Sequence, residues 1–279
     1  MLVFAIVGGF AQKKKEPASV PQSFLSRYDL SDKHATQFIL PKRLSEASGL
    51  VMTSDGRLFS EEDEHGIVYQ LDFTNGKIVK QFSLGKYGVK GDFEDIAMKG
   101  KTFYLMESNG IIYEFPEGED GGSVSFRTYD TFLSAKNDVE GLCYDSETDC
   151  LLLLCKSYSG KGYRNYKAVY SFSLKTKSLV EKPRFLIPLA EVTKNSDNGD
   201  FQPSAITRNP KSGTFFILAA HGCSVIELSK DGKILSQQAI NKKINPHAEG
   251  IAFAPDLTLF LCNDGQGGRG SLTIYPLKK

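Results

Sequence analysis

The sequence predicts an all-β fold, a five-bladed β-propeller whose last blade is closed by a strand from the N-terminal side. Three observations predict it. A seven-residue motif recurs five times, its copies are spaced in the mid-forties with one exception, and the chain ends one strand short of completing the last copy.

The copies read EASGLVM at 46–52, DFEDIAM at 92–98, DVEGLCY at 138–144, QPSAITR at 202–208 and HAEGIAF at 247–253. Their first residues, Glu46, Asp92, Asp138, Gln202 and His247, are separated by 46, 46, 64 and 45 residues. A period of this length is that of a four-stranded propeller blade. The interior of the first repeat supplies four strands, ASGLVMT, RLFSEE, IVYQLDF and KIVKQFSL, separated by SDG, DEHG and TNG. Gly, Asn and Asp at those junctions are turn residues, and TNG before KIV is a hairpin signal. The third repeat runs VEGLCYD, LLLLCKS, KAVYSFSL and LVEKPRFLIP, and the fourth continues with FFILAAHG, SVIELS and KILSQQA. No stretch of comparable length carries helical periodicity. A β-sandwich would leave the regular spacing to coincidence.

The long third spacing is absorbed at SYSGKGYRNYK, 157–167, and AEVTKNSDNGD, 190–200, both expected to be surface loops. From His247 onward 33 residues remain, enough for three strands ending at LTIYPL. The fourth is expected at TQFILPK, 36–42, which precedes Glu46 much as KQFSLGK precedes Asp92. Closing the ring this way removes an open sheet edge. The propeller domain is therefore expected over 36–279.

Ahead of it, LVFAIVGGFA at 2–11 is too short to span a bilayer and has the length of a signal h-region, with Gly9 and Ala11 at a cleavage position before Gln12. Residues 1–11 are expected to be a signal peptide that lacks its basic start, and 12–35 a polar linker. The expected location is outside the cytoplasm, in the periplasm or cell envelope. Apolar residues make up 41% of the chain and charged residues 24%, a globular balance. A net charge of +1 gives no electrostatic reason to expect nucleic acid as a partner. The five cysteines show no CxxC spacing, so they are expected to be buried thiols, with Cys143 and Cys155 the pair to inspect for oxidation.

The first strand of each blade lines the channel of a propeller, so the five motifs converge on its axis at one face. Residues two apart in a strand share a face. That arithmetic gives an outer ring of Glu46, Asp92, Asp138, Gln202 and His247, and a second ring of Ser48, Glu94, Glu140, Ser204 and Glu249. Acids so concentrated repel unless protons, basic side chains or a cation compensate. No Lys or Arg occupies either ring. Oxygen-rich donors suit calcium, which takes about 6–8 oxygens in flexible geometry. Glu46, Asp92, Glu94, Asp138, Glu140 and Glu249 are thus the candidate metal ligands. A bracing role, with these residues bonding blade backbones together, is the competing explanation. The loop after each second strand opens on the same face. Glu62, Glu107, His221 and Asn263 stand near those strand ends and, with Gln202, are the candidate ligand-binding residues. Asp63, Glu64 and His65 read as solvated rim charges.

ExSGL at 46–50, DFEDI at 92–96, DVEGL at 138–142, QPSAI at 202–206 and HAEGI at 247–251 resemble the SdiA-regulated family of bacterial envelope propellers, and the wider group of NHL-repeat and esterase-like phytase propellers. The resemblance covers about residues 36–279. It implies a five-bladed propeller with a calcium site lying outside the cytoplasm, and it brings no settled activity. Gln202 and Ser204 depart from the acidic pattern. GQGGRG at 265–270 fits a dinucleotide fingerprint in letters only, because a strand follows it where a helix is required.

Two functions follow as expectations. One is an exported calcium-binding module, monomeric and without a transmembrane helix, whose acidic face recognises a small molecule or an envelope protein. The alternative is a calcium-dependent hydrolase, phytase-like or lactonase-like, with His221 or His247 as general base. The absence of a dense Lys and Arg cluster on that face weighs against a polyphosphate substrate. A scaffold role, with the rings as braces, is a third.

Overall fold

Five antiparallel sheets follow one another along the chain, and the first strands of successive sheets are neighbours in a closed circle, blade five returning to blade one. The computed structural model describes residues 23–31 and 33–278. The expected signal segment 1–11 and the front of the expected linker lie outside the described residues.

Blade one comprises Ala47–Met52, Leu58–Glu62, Ile67–Asp72 and Lys77–Leu84. Its outer edge is extended by Ser123–Val124, which pairs in parallel with Lys77–Leu84. Blade two is Phe93–Lys99, Thr102–Glu107, Ile112–Pro116 and Arg127–Tyr129. In blade three Val139–Asp145, Cys150–Cys155 and Tyr166–Ser173 are followed by two short segments, Ser178–Leu179 and Phe185–Pro188, sharing the outer position. Blade four is Gln202–Arg208, Phe215–His221, Ser224–Leu228 and Ile234–Ala239. Blade five takes Ala248–Phe253, Leu259–Asn263 and Ser271–Tyr275 from the C-terminal end. Its fourth strand is Thr36–Ile39, antiparallel to Ser271–Tyr275 with Thr36 opposite Ile274 and Ile39 opposite Ser271. The closure expected from the missing strand is present.

The apolar positions explain why the blades pack. Each side chain facing away from its own sheet meets the next sheet, so the core divides into five clusters, one per seam. Phe59 and Phe82 of blade one meet Phe93, Phe103 and Phe115 of blade two. Tyr104 and Met106 meet Leu151 and Leu153, and Leu152 and Leu154 meet Phe215 and Ile217. Phe216 and Leu218 meet Phe253 and Leu261, and Phe260 and Cys262 meet Leu50 and Tyr69. All five cysteines are free and buried, as expected, and Cys143, Cys155, Cys223 and Cys262 lie in these seams.

Near the axis the strands approach closely enough to restrict size. The fourth motif residue is Gly49, Asp95, Gly141, Ala205 or Gly250. A Cβ on Gly141 would stand 3.0 Å from the Ile206 nitrogen of the next blade, and one on Gly250 would stand 2.9 Å from the Ser48 oxygen. Small residues at four of these five positions let the blades close a narrow ring.

The described part of the expected linker is packed rather than free. Leu25, Tyr28 and Leu30 are buried in the seam between blades four and five. The Tyr28 hydroxyl donates to the Leu257 carbonyl at 2.7 Å, and the Leu25 N–H donates to Glu227 Oε2 at 2.8 Å. The polar residues around them masked three apolar anchors. The two expected insertions are largely loops, the second containing a helical turn at Leu189–Val192 and short 3-10 turns at Thr193–Asn195 and Asp197–Gly199. No helix among the described residues is long and apolar enough to cross a membrane.

Candidate functional site

Each first strand carries a β-bulge within its motif. Phe93 pairs with Glu107 and Asp95 with Met106, which leaves Glu94 as the extra residue. The same shift isolates Glu140 between Val139 and Gly141, Ser204 between Pro203 and Ala205, and Glu249 between Ala248 and Gly250. In blade one it falls between Ala47 and Leu50. A bulge bends its strand and re-aims the extra side chain. The alternation assumed from the sequence is therefore broken between the two rings, and they do different work.

The outer ring tends its own blades. Asp92 accepts a hydrogen bond from the Ser108 hydroxyl, and Asp138 Oδ2 accepts one from Ser157 Oγ at 3.0 Å. His247 Nδ1 lies 2.9 Å from Gln266 Nε2, and Gln202 Nε2 donates to Asp200 Oδ2 at 3.0 Å. Asp92, Asp138 and His247 thereby hold the loop that follows the second strand of their own blade. Glu46 stands near enough to Asp63 to help raise its pKa to about 6, a shift caused first by burial.

The inner ring sits on these bulges, and in blade four its Ser204 hydroxyl donates to the Ala248 carbonyl of blade five at 2.8 Å. Glu94, Glu140 and Glu249 come from blades two, three and five, and the Glu140 charge bears on both of the others. Burial raises all three carboxyl pKa values, and like charge adds to it: Glu140 acts on both Glu94 and Glu249. Glu249 is pushed up to about 8. A residue absent from the sequence argument joins them. Lys156 follows the second strand of blade three, and its Nζ lies 2.8 Å from Glu140 Oε1. Burial works against this ammonium, but Glu140, Asp138 and Glu249 outweigh it and its pKa is raised. Its N–H donates to the Asp138 carbonyl at 2.7 Å and its carbonyl accepts from Lys167 Nζ, so the backbone is clamped and only the stem is free. The blade registers would have revealed it: Lys156 stands where the other blades place Asp63, Ser108 and Asp264, one past the residue that pairs with the second motif position.

Two further acids lie deeper. Asp95 is 2% exposed and its two oxygens accept the Ile96 and Leu142 N–H groups at 2.8 and 2.7 Å. Glu61 is fully buried on the second strand of blade one, where Met106, Leu154, Leu218 and Cys262 occupy the matching place. Neither of its oxygens has a hydrogen-bond partner, since the nearby Gly49 N–H stands outside ordinary hydrogen-bond geometry. Burial, then Glu62 and Asp63, push it up to about 8. The sequence signal was an acid where every other repeat is apolar.

These donors fit a hard cation in chemistry. They are oxygens from different blades, the Glu94 and Glu249 side chains accept no hydrogen bond among the described residues, and Glu61 is an orphaned buried carboxyl. The inner-ring acids are not drawn into a tight cluster. Among the described residues only Glu62, Glu64 and His65 bring three ligand atoms within 4.8 Å of one another. In that rim group His65 Nδ1 lies 3.0 Å from Glu62 Oε1.

The remaining candidates are dispersed. Glu107 Oε1 accepts the Tyr113 hydroxyl at 2.5 Å and Oε2 accepts Asn109 Nδ2 at 2.9 Å, so it is engaged inside blade two. Asn263 is 1% exposed and donates to Asn245 Oδ1 at 3.2 Å. His221 and His247 meet in one cleft between blades four and five, of about 110 Å³, with Asp197, Asp200 and Lys242. None of the three inner-ring acids lines it.

No protein-family model and no curated protein matches the chain in sequence. Solved structures resemble it in shape. A luciferin-regenerating enzyme superposes with a TM-score of 0.54 at 11% identity, over 87% of this chain and 95% of the other. Glutaminyl cyclase of Myxococcus xanthus gives 0.54 at 15%, over 88% and 96%. A gluconolactonase of Xanthomonas campestris gives 0.52 at 13%, over 83% and 72%. At these identities the likeness establishes the β-propeller fold alone.

Proposed function

We propose that the inner ring at the axial mouth holds a divalent cation, calcium, and that the loaded mouth binds and hydrolyses a small ester, a lactone above all. The observation that carries this reading is that Glu94, Glu140 and Glu249 each sit on the bulge of a first strand, in three blades whose first strands belong to one closed ring, with Lys156 Nζ 2.8 Å from Glu140 Oε1. These three would hold the ion, with the hydroxyls of Ser48 and Ser204 in the same ring. When bound, the ion would polarise a carbonyl and acidify a water molecule. His247, at the head of the Glu249 motif, would take the proton at Nε2 once the Gln266 amide presents its oxygen to Nδ1–H, and the cleft it shares with His221 would seat part of the substrate. The gluconolactonase among the structural neighbours supports the substrate class.

A binding module without catalysis is the second reading. What favours it is that the axial acids and the two histidines line separate surfaces. In both readings export rests on the apolar stretch 2–11, and membership of the SdiA-regulated group on the motif resemblance.

The test is calcium titration by calorimetry, paired with hydrolysis assays on lactones, open-chain esters and phosphoesters in calcium or EDTA. Calcium binding lost in Glu94→Gln and Glu249→Gln, with calcium-dependent lactone hydrolysis lost in His247→Ala, is the expected result. Calcium binding without turnover leaves the module reading standing. No calcium binding by wild-type protein removes both.

A further inference from the structure

We infer that Lys156 is a built-in counter-ion that competes with the divalent cation for Glu140, and so sets the cation affinity of the mouth. The inference rests on the cation site proposed above and adds to it a residue that tunes that site.

The geometry is specific. Nζ sits 2.8 Å from Glu140 Oε1, within the same field as Asp138 and Glu249. An ammonium in that place and a divalent ion on the same carboxylate would repel each other in a partly desolvated site. The ion therefore binds only as the ammonium withdraws. The side chain can do so, because it is 30% exposed and opens toward solvent, while its backbone stays clamped to the Asp138 carbonyl and Lys167. The other described basic group nearby, Lys167, is held on the Lys156 carbonyl. Blades one, two and five place acids or a serine at the matching position, so blade three alone of these carries its own cation there.

The experiment titrates calcium chloride into chelator-treated full chain by calorimetry, for wild type, Lys156→Met and Lys156→Arg. Methionine keeps the stem and removes the charge, so calcium should bind about tenfold more tightly. Arginine keeps the charge and can grip Glu140 through two N–H groups, so calcium should bind several-fold more weakly. In EDTA the methionine variant should melt lower than wild type, and calcium should raise its melting temperature more. Calcium affinity unchanged or weakened in a folded Lys156→Met protein overturns the inference while leaving the cation site intact. If Lys156→Met does not fold, tighter or equal binding by Lys156→Arg overturns it instead. Absence of calcium binding in wild type and both variants removes the cation site and the inference with it.

Discussion

Asp95 Oδ2 accepts the Leu142 N–H at 2.7 Å across the seam between blades two and three. Its other oxygen accepts the Ile96 N–H at 2.8 Å. One carboxylate thus joins two innermost strands, at the motif position where the other blades have glycine or alanine.

Replacing Asp95 by alanine should strand two buried N–H groups. The expected loss is about 2–4 kcal/mol of unfolding free energy, read by chemical denaturation. A loss under about 0.5 kcal/mol would mean that water takes over both donors and that the brace is dispensable.

Glu61 occupies a place where other blades carry leucine, methionine or cysteine, and its oxygens are unpartnered. Glu61→Leu should stabilise the calcium-free protein by about 1–3 kcal/mol at neutral pH, since a desolvated acid gives way to an apolar side chain of similar volume. Destabilisation in EDTA would show that Glu61 has a stabilising role the static contacts do not reveal.

Stability without calcium should fall as pH rises. Glu249 and Glu61 have folded pKa values of about 8 against an ordinary 4.5, so the folded state binds more protons than the unfolded chain between those limits. Their contribution is greatest below about pH 4.5 and is lost toward pH 8, with a slope near 1.4 kcal/mol per pH unit for each group at full difference. Denaturation at pH 5.5 and 8.5 in EDTA measures it. Calcium should flatten the high-pH side. A protein more stable at 8.5 than at 5.5 in EDTA would contradict the sign.

Deleting residues 1–40 removes Thr36–Ile39 and bares the Ser271–Tyr275 edge. The truncated chain should associate, seen by size-exclusion chromatography, and lose its single cooperative melting transition.

Much of the fold was legible because repetition multiplies weak signals. One copy of the motif says little, but five copies, three of their four spacings at blade length, with a strand missing behind and supplied in front, leave few architectures. The site was less legible. Glu94, Glu140 and Glu249 came out of the alignment as a set, yet the bulge that aims them cannot be read from period-two alternation. Lys156 is not legible from the motif because it follows the second strand and reaches Glu140 with a long stem. Glu107 and Asn263 are candidates by strand position, and contacts with Tyr113 and Asn245 that the motif does not encode decide where their side chains go. Leu25 and Tyr28 were hidden by polar neighbours, since three anchors in a dozen residues make no period.

Gln37 and Ser271 lie 234 residues apart in sequence and are brought side by side by the closing strand. During synthesis the early strand must therefore wait, unpaired, until Ser271–Tyr275 has left the ribosome. Such long-range pairing is slow by its topology. The ring locks only when that partner arrives, and every nascent chain passes through an interval in which Thr36–Ile39 is available to strangers.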